Sequence, residues 1–293
     1  MNRECTAEWY ENPTKTVFAR LSAVRDMSLN IGDALSAGAE KLTTAAGVQL
    51  GVAYVVLLLV TVVGSNSMSA EIPSPPGSEG MAADPALALP IGFAGGAVLF
   101  LLGMVLNLGL AIVAFRTLDH DASELGSIPS GVTDGLLKRA VFLVIAGIVQ
   151  TIAIAIGWIA LFIPGIFIAV SLIFTQVYVA IEGEGPFEAL SSSWSLAKGN
   201  RFPLFGLGVV ITVIGMLTLI PSFIALVFSP IAGVVVMYVI LAFFSVFQLG
   251  VMVDAYHQLE ADESMAAETT DDDDDDDDGV ERLDDDDSGF DYA

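Results

Sequence analysis

A single cysteine, Cys5, stands among 293 residues, which excludes an intramolecular disulfide framework and a thiolate metal cluster within one chain. Histidine is almost as scarce, with only His120 and His257. Lys and Arg together number 11 against 35 acids, for a formal net charge of −24, so nucleic acid is not expected as a partner. No glycine-rich phosphate loop, zinc-protease helix or nucleophile elbow occurs in a suitable context. The chain is therefore expected not to be an enzyme and to carry no cofactor. Residues 1–43 hold no apolar core behind a basic start, so the first apolar run is expected to act as an uncleaved signal anchor.

Hydrophobic residues, by contrast, make up 54% of the chain, and mean hydropathy is +0.71. The charge is segregated from them, since eighteen of the 35 acids lie between Glu260 and Ala293. The chain reads as a membrane body followed by an acidic tail. A spanning helix needs about 20 apolar residues, because ~1.5 Å per residue must cover ~30 Å of hydrocarbon. Residues 45–64 and 91–115 fit, separated by a loop broken by Pro73, Pro75, Pro76, Pro85 and Pro90. The 42 residues from Ala140 to Ile181 carry no charge; as one helix they would measure ~63 Å, so they must fold back. Pro164-Gly165 is the turn chemistry available, which gives spans 140–162 and 164–181. From Pro203 to Val253 a turn at Ser229-Pro230 leaves two spans of 24 residues, 204–227 and 230–253, with Pro221 read as a kink.

Six spans place every Lys and Arg on one side. They fall before span one (Arg3, Lys15, Arg20, Arg25, Lys41), between spans two and three (Arg116, Lys138, Arg139), between four and five (Lys198, Arg201) and in the tail (Arg282). Basic loops stay in the cytoplasm, so both termini are expected there and the protein is expected to be a multi-pass protein of the cell membrane.

The spans contain no ionisable side chain of the kind that marks a proton or ion path. Their polar residues are Gln49, Asn107, Gln150, Gln176 and Gln248 with several Ser and Thr. Amides such as Gln150 and Gln176 are read as bonds between helices, with an uncharged permeation path as the alternative. Gly47–Gly51 and Gly92–Gly96 have GxxxG spacing and are read as internal packing rather than dimerisation. His120, between Asp119 and Asp121, and His257, beside Asp254, fall at the ends of even-numbered spans. A shared metal site would need three or four convergent ligands; the expected reading is solvated interfacial histidines. Gly185–Asn200 has Pro186 and Glu188 in a first turn and Lys198-Gly199 at a stop. With Phe187, Leu190, Trp194 and Ala197 on one stripe, it reads as an in-plane amphipathic helix anchored by Trp194. A weaker pattern over Val17–Leu42 suggests another.

The aspartate runs 271–278 and 284–287 lack the alternation and terminal Glu of a calcium loop. Adjacent like charges repel and are expected to stay disordered, hydrating the cytoplasmic face in a salt-loaded cell. The alternative is a docking arm for a basic partner or divalent ions.

A resemblance emerges from Ile163-Pro164-Gly165-Ile166-Phe167, Val179-Ala180-Ile181-Glu182, Glu188-Ala189-Leu190, Ser193-Trp194-Ser195-Leu196 and Lys198-Gly199-Asn200-Arg201. This block resembles the six-span haloarchaeal membrane proteins of unknown function. More distantly it is similar to the membrane domain beside some glycerophosphodiester phosphodiesterases. The resemblance extends over roughly Met27 to Leu259, with Asp33-Ala34-Leu35 and Ala255-Tyr256-His257-Gln258-Leu259 at its edges. It implies a fold and a location, and no catalytic residue.

The expected fold is thus all-α: a polytopic bundle of six transmembrane helices over 44–259, with in-plane amphipathic helices in 1–43 and before span five, and a disordered acidic tail over 260–293. The expected role is a non-enzymatic accessory or scaffold in the cell membrane of a halophile, with the lipid bilayer and a protein docked on the acidic tail as partners. A passive permease or lipid-handling protein is the alternative. Pro164, Gly165, Gln150, Gln176, Trp194, Asp254 and His257 are the residues singled out as structural or interfacial.

Overall fold

The computed structural model of the protein describes residues 29–72 and 87–274. Every regular element among them is helical. They are α1 (Ile31–Thr43), α2 (Ala45–Ser69), α3 (Gly92–Leu118), a 3-10 turn at Ala122–Glu124, α4 (Leu136–Ala160), α5 (Phe162–Ser171), α6 (Thr175–Val177) with a π-turn at Tyr178–Glu182, α7 (Pro186–Leu196), α8 (Arg201–Thr218), α9 (Ile220–Phe228) and α10 (Pro230–Asp274). Six stretches are long and apolar enough to cross a bilayer: Ala45–Ser69, Gly92–Leu118, Leu136–Ile159, Ile163–Glu182, Arg201–Phe228 and Ile231–Met265. The helices overrun the apolar limits 91–115 and 140–162 at their basic ends. They do so because long cationic side chains can stay in the helix and reach back to polar atoms. Arg116 bonds the carbonyl of Val132 at 2.7 Å and Arg139 that of Asp134 at 3.0 Å.

The helix starts follow from side-chain chemistry. The Asn30 side-chain oxygen accepts from the Gly32 and Asp33 N–H groups and starts α1. Thr44 is extended, which ends α1, and its hydroxyl accepts from the Gly47 N–H to start α2. α1 then runs antiparallel along α10: Asn30 N donates to Gln258 Oε1 at 2.9 Å, and Gly38 lies against Val251 and the Phe247 carbonyl. Only glycine lets the two backbones come this close. The described part of the expected in-plane segment is therefore a helix packed on span six; residues 17–28 lie outside the described residues.

α2 and α3 form the most extensive helix pair. A Cβ on Gly64 would sit 2.5 Å from the Phe100 N, and one on Gly96 the same distance from the Met68 N. The pair thus meets through glycines at 64, 96 and 103. Gly47 and Gly51 face the end of α1 and the Phe243 ring instead.

Two spans are broken. The fourth leaves helix between α5 and α6, at residues 172–174, and the fifth changes helix at Leu219, two residues before Pro221. Pro221 lacks the N–H that would bond the Leu217 carbonyl, which accounts for the second break. The last helix is unbroken for 45 residues, so the chain stays helical through 260–274, where disorder was expected. Ala261, Met265, Ala266, Ala267 and the glutamates there are good helix formers. Residues 275–293 lie outside the described residues.

The core is concentrated at the end of the bundle that carries the basic residues. Phe115 and Leu118 of α3, Phe174, Val177 of α6 and Tyr256 of α10 are all fully buried there. Phe174 and Tyr178, one turn apart, both pack on Tyr256 with ring centroids 6.2 and 5.3 Å away. The Tyr256 hydroxyl donates to Glu182 Oε1 at 3.4 Å, one further turn on.

Candidate functional site

The break in span four is closed by side chains from two other elements. The Thr175 N–H bonds back three residues to the Leu172 carbonyl, so the Ser171 carbonyl loses its helical partner. The Phe174 N–H is displaced from its own. Both are met by one hydroxyl: Ser193 Oγ donates to the Ser171 carbonyl at 3.1 Å and accepts from the Phe174 N–H at 3.1 Å. The Leu172 carbonyl takes Gln150 Nε2 at 2.9 Å and Thr175 Oγ1 at 2.9 Å. Ser171, Thr175 and Ser193 are fully buried, where an unpaired backbone group is costly.

Ser193 sits on α7, the expected amphipathic helix, but the buried face differs from the expected stripe. Ala189, Ser193 and Leu196 face inward with Ala197, while Phe187 and Trp194 are 70% and 40% exposed. Small residues at 189, 193 and 197 let α7 approach the break closely. That one-turn spacing was the signal that could have marked Ser193. Before α7, Glu184 accepts from the Ser192 hydroxyl at 3.2 Å, and its other oxygen is buried without a partner. Burial pushes the Glu184 carboxyl above the usual range, with Glu188 and Glu182 adding to the rise and the Ser192 hydrogen bond opposing it.

A second polar cluster joins α1, the end of α3 and α10. Lys41 is buried, and its Nζ donates to the Leu118 carbonyl at 2.7 Å. Leu118 closes α3, so the cation meets the negative end of a helix. Burial lowers the pKa of Lys41, against the attraction of Asp254, Asp119, Asp121 and Glu40. His257 Nε2 lies 2.9 Å from Asp119 Oδ1, and Asp254 accepts from Gln258 at 2.7 Å. Asp254 and His257 thus turn to different partners. His120 Nδ1 contacts the Arg116 carbonyl on its own helix. Among the described residues no three His, Cys, Asp or Glu side chains gather into a metal site.

Trp194 takes part in a third arrangement. The Arg201 guanidinium lies 4.3 Å from the Phe167 ring centroid and 4.9 Å from that of Trp194. The two rings meet edge to face at 5.7 Å. Of the remaining residues singled out, Pro164 lies in the first turn of α5, Gly165 packs against Gly157 and the Trp158 ring, and Gln176 is exposed.

An all-helical bundle with six membrane-length apolar helices, whose interior polar groups mostly serve its own backbone, defines a polytopic membrane protein. Residues 29–259 match the family described as a domain of unknown function, DUF7847, and the chain belongs to that family. It is also similar to a UPF0259 membrane protein of Pectobacterium carotovorum subsp. carotovorum (strain PC1), 34% identical over 109 residues. That match covers 36% of this chain and 42% of the relative, so the alignment spans less than half the relative's length. No solved structure matches the chain.

Proposed function

We propose that the protein is a non-enzymatic accessory or scaffold of the cell membrane, with both termini in the cytoplasm and a protein partner engaged at the cytoplasmic end of its last helix. The observation that carries this reading is the length of α10. Its 45 residues extend over about 68 Å, against about 30 Å of hydrocarbon, so the helix runs well beyond the bilayer. α1 braces the emerging part through Gly38 and the Asn30–Gln258 bond. The sequence beyond is acidic, with Glu260, Asp262, Glu263, Glu268 and the aspartates from 271 onward. A braced rod with an acidic end suits docking to a basic surface. Gln150, bonded to the Leu172 carbonyl, supports a structural role for that amide over a permeation path.

A salt-loaded cytoplasm fits the same features. With a Debye length of about 3 Å at 1 M salt, repulsion within the tail is screened. The chain has only four lysines, Lys15, Lys41, Lys138 and Lys198. Purification from native membranes in mild detergent and high salt tests the reading: mass spectrometry is expected to find a stoichiometric protein partner that is lost when residues 260–293 are deleted. A chain that retains no protein, and in liposomes shows a saturable flux abolished by Gln150→Ala or Gln176→Ala, overturns it.

A further inference from the structure

The accessory role leaves the Arg201 arrangement without a purpose, and the geometry around that residue stands independently of it. Between α5 and α8 lies a groove of about 540 Å³, within the ~300–1,000 Å³ usual for a bound small molecule. Its walls include Ile163, Phe167 and Val170 on one side and Phe202 and Phe205 on the other, all apolar, and its single charge is Arg201. Among the described residues no carboxylate pairs with Arg201, and the one ion pair is His257 with Asp119. Its Nε is buried with no hydrogen-bond partner. The guanidinium is nonetheless held in place by the Phe167 and Trp194 rings, which fixes the plane of its donor fork. Arg201 is also the first residue of α8, whose start has no side-chain cap, so the N–H groups of Arg201 and Phe202 add a partial positive charge beside it.

An immobilised, unpaired guanidinium at the rim of an apolar groove is complementary to a ligand with an anionic head and a hydrocarbon body. We infer that this groove binds an anionic phospholipid, its phosphate on Arg201 and the α8 start and an acyl chain between α5 and α8. In a bilayer, groove and solvent are equally apolar, so the chain gains little by entering. Selectivity must come from the head, through charge-assisted hydrogen bonds to phosphate. Lys198, exposed three residues before Arg201, adds charge of the right sign.

Trp194 reports on the site directly. In the full chain with W9F and W158F, it is the remaining one of three tryptophans. The protein is reconstituted in phosphatidylcholine bilayers containing brominated phosphatidylglycerol, and in the mirror mixture with the bromine on phosphatidylcholine. Quenching of Trp194 is expected to give a relative association constant favouring the anionic lipid about tenfold. R201Q should bring it to about one, and R201K, which keeps the charge without the planar fork, to an intermediate value. Equal quenching by both lipids overturns the proposal, as does a preference unchanged in R201Q. If R201Q does not fold, R201K decides: a fall supports the site and an undiminished preference sinks it. Loss of the preference on adding millimolar inorganic phosphate would assign Arg201 to a free anion and overturn the lipid assignment.

Discussion

Because one Ser193 hydroxyl serves both the Ser171 carbonyl and the Phe174 N–H, alanine there strands two backbone groups in a sealed interior. Ser193→Ala should destabilise the purified protein by about 1–3 kcal/mol. Gln150→Ala should cost less, about 0.6 kcal/mol, because the Leu172 carbonyl keeps Thr175 Oγ1. Thermal unfolding in one detergent compares the two, and the reverse order would refute the assignment of roles. Glu184 gives a pH signature. Its folded pKa lies above its unfolded value of 4.5, so between those values the folded state binds more protons and stability falls as pH rises. Glu184→Gln should flatten that slope and be the more stable protein at pH 7; an unchanged slope would contradict the burial of this carboxyl. At this scale the sequence was partly informative. The amide of Gln150 and the ring of Trp194 announce themselves in an apolar stretch. Ser193 lies in a run of three serines, and Lys41 in a polar segment, so neither looks buried until a distant element covers it.

Glycine at a helix crossing behaves differently from glycine in open space. Gly96 has no room for a side chain against the Met68 backbone, so Gly96→Val should push α2 and α3 apart and cost about 1–3 kcal/mol. The same substitution at Gly147, where an added Cβ would meet nothing within 4 Å, should be close to neutral. Denaturant titration of the pair would show the difference, and equal losses would dismiss the crossing. Among the elements, the stop at Ser229-Pro230 and the kink near Pro221 could be read in advance, and the hairpin between spans three and four only approximately, since the chain turns at the extended Leu161 and Pro164-Gly165 lie inside the first turn of α5. The break at 172–174 could not, since Leu172-Ile173-Phe174 contains no proline or glycine. It exists because Ser193 and Gln150 can serve the backbone groups that it frees. The helical continuation of α10 was hidden for another reason, since charge repulsion and helix propensity point in opposite directions over the same residues.

For the molecule as a whole, the distribution of Lys and Arg predicts an orientation that can be tested without a functional assay. In a Cys5→Ser background, Ser78→Cys in the loop between spans one and two should react with an impermeant maleimide in intact cells. Ser264→Cys, exposed on α10, should react only after permeabilisation; labelling in the opposite sense would invert the topology. The six-span body was legible because long uncharged runs admit few solutions, whereas the mutual arrangement of the spans depends on contacts far apart in sequence. The α1–α10 contact is the clearest of these. Asn30 and Gln258 are separated by 228 positions, and ribosomes add roughly 5–20 residues per second. The first helix is therefore made some 10–45 s before the surface that receives it, as roughly those rates imply. During that interval its Gly38 face is uncovered, so a nascent chain lacking the last span should be a substrate for membrane chaperones and quality-control proteases.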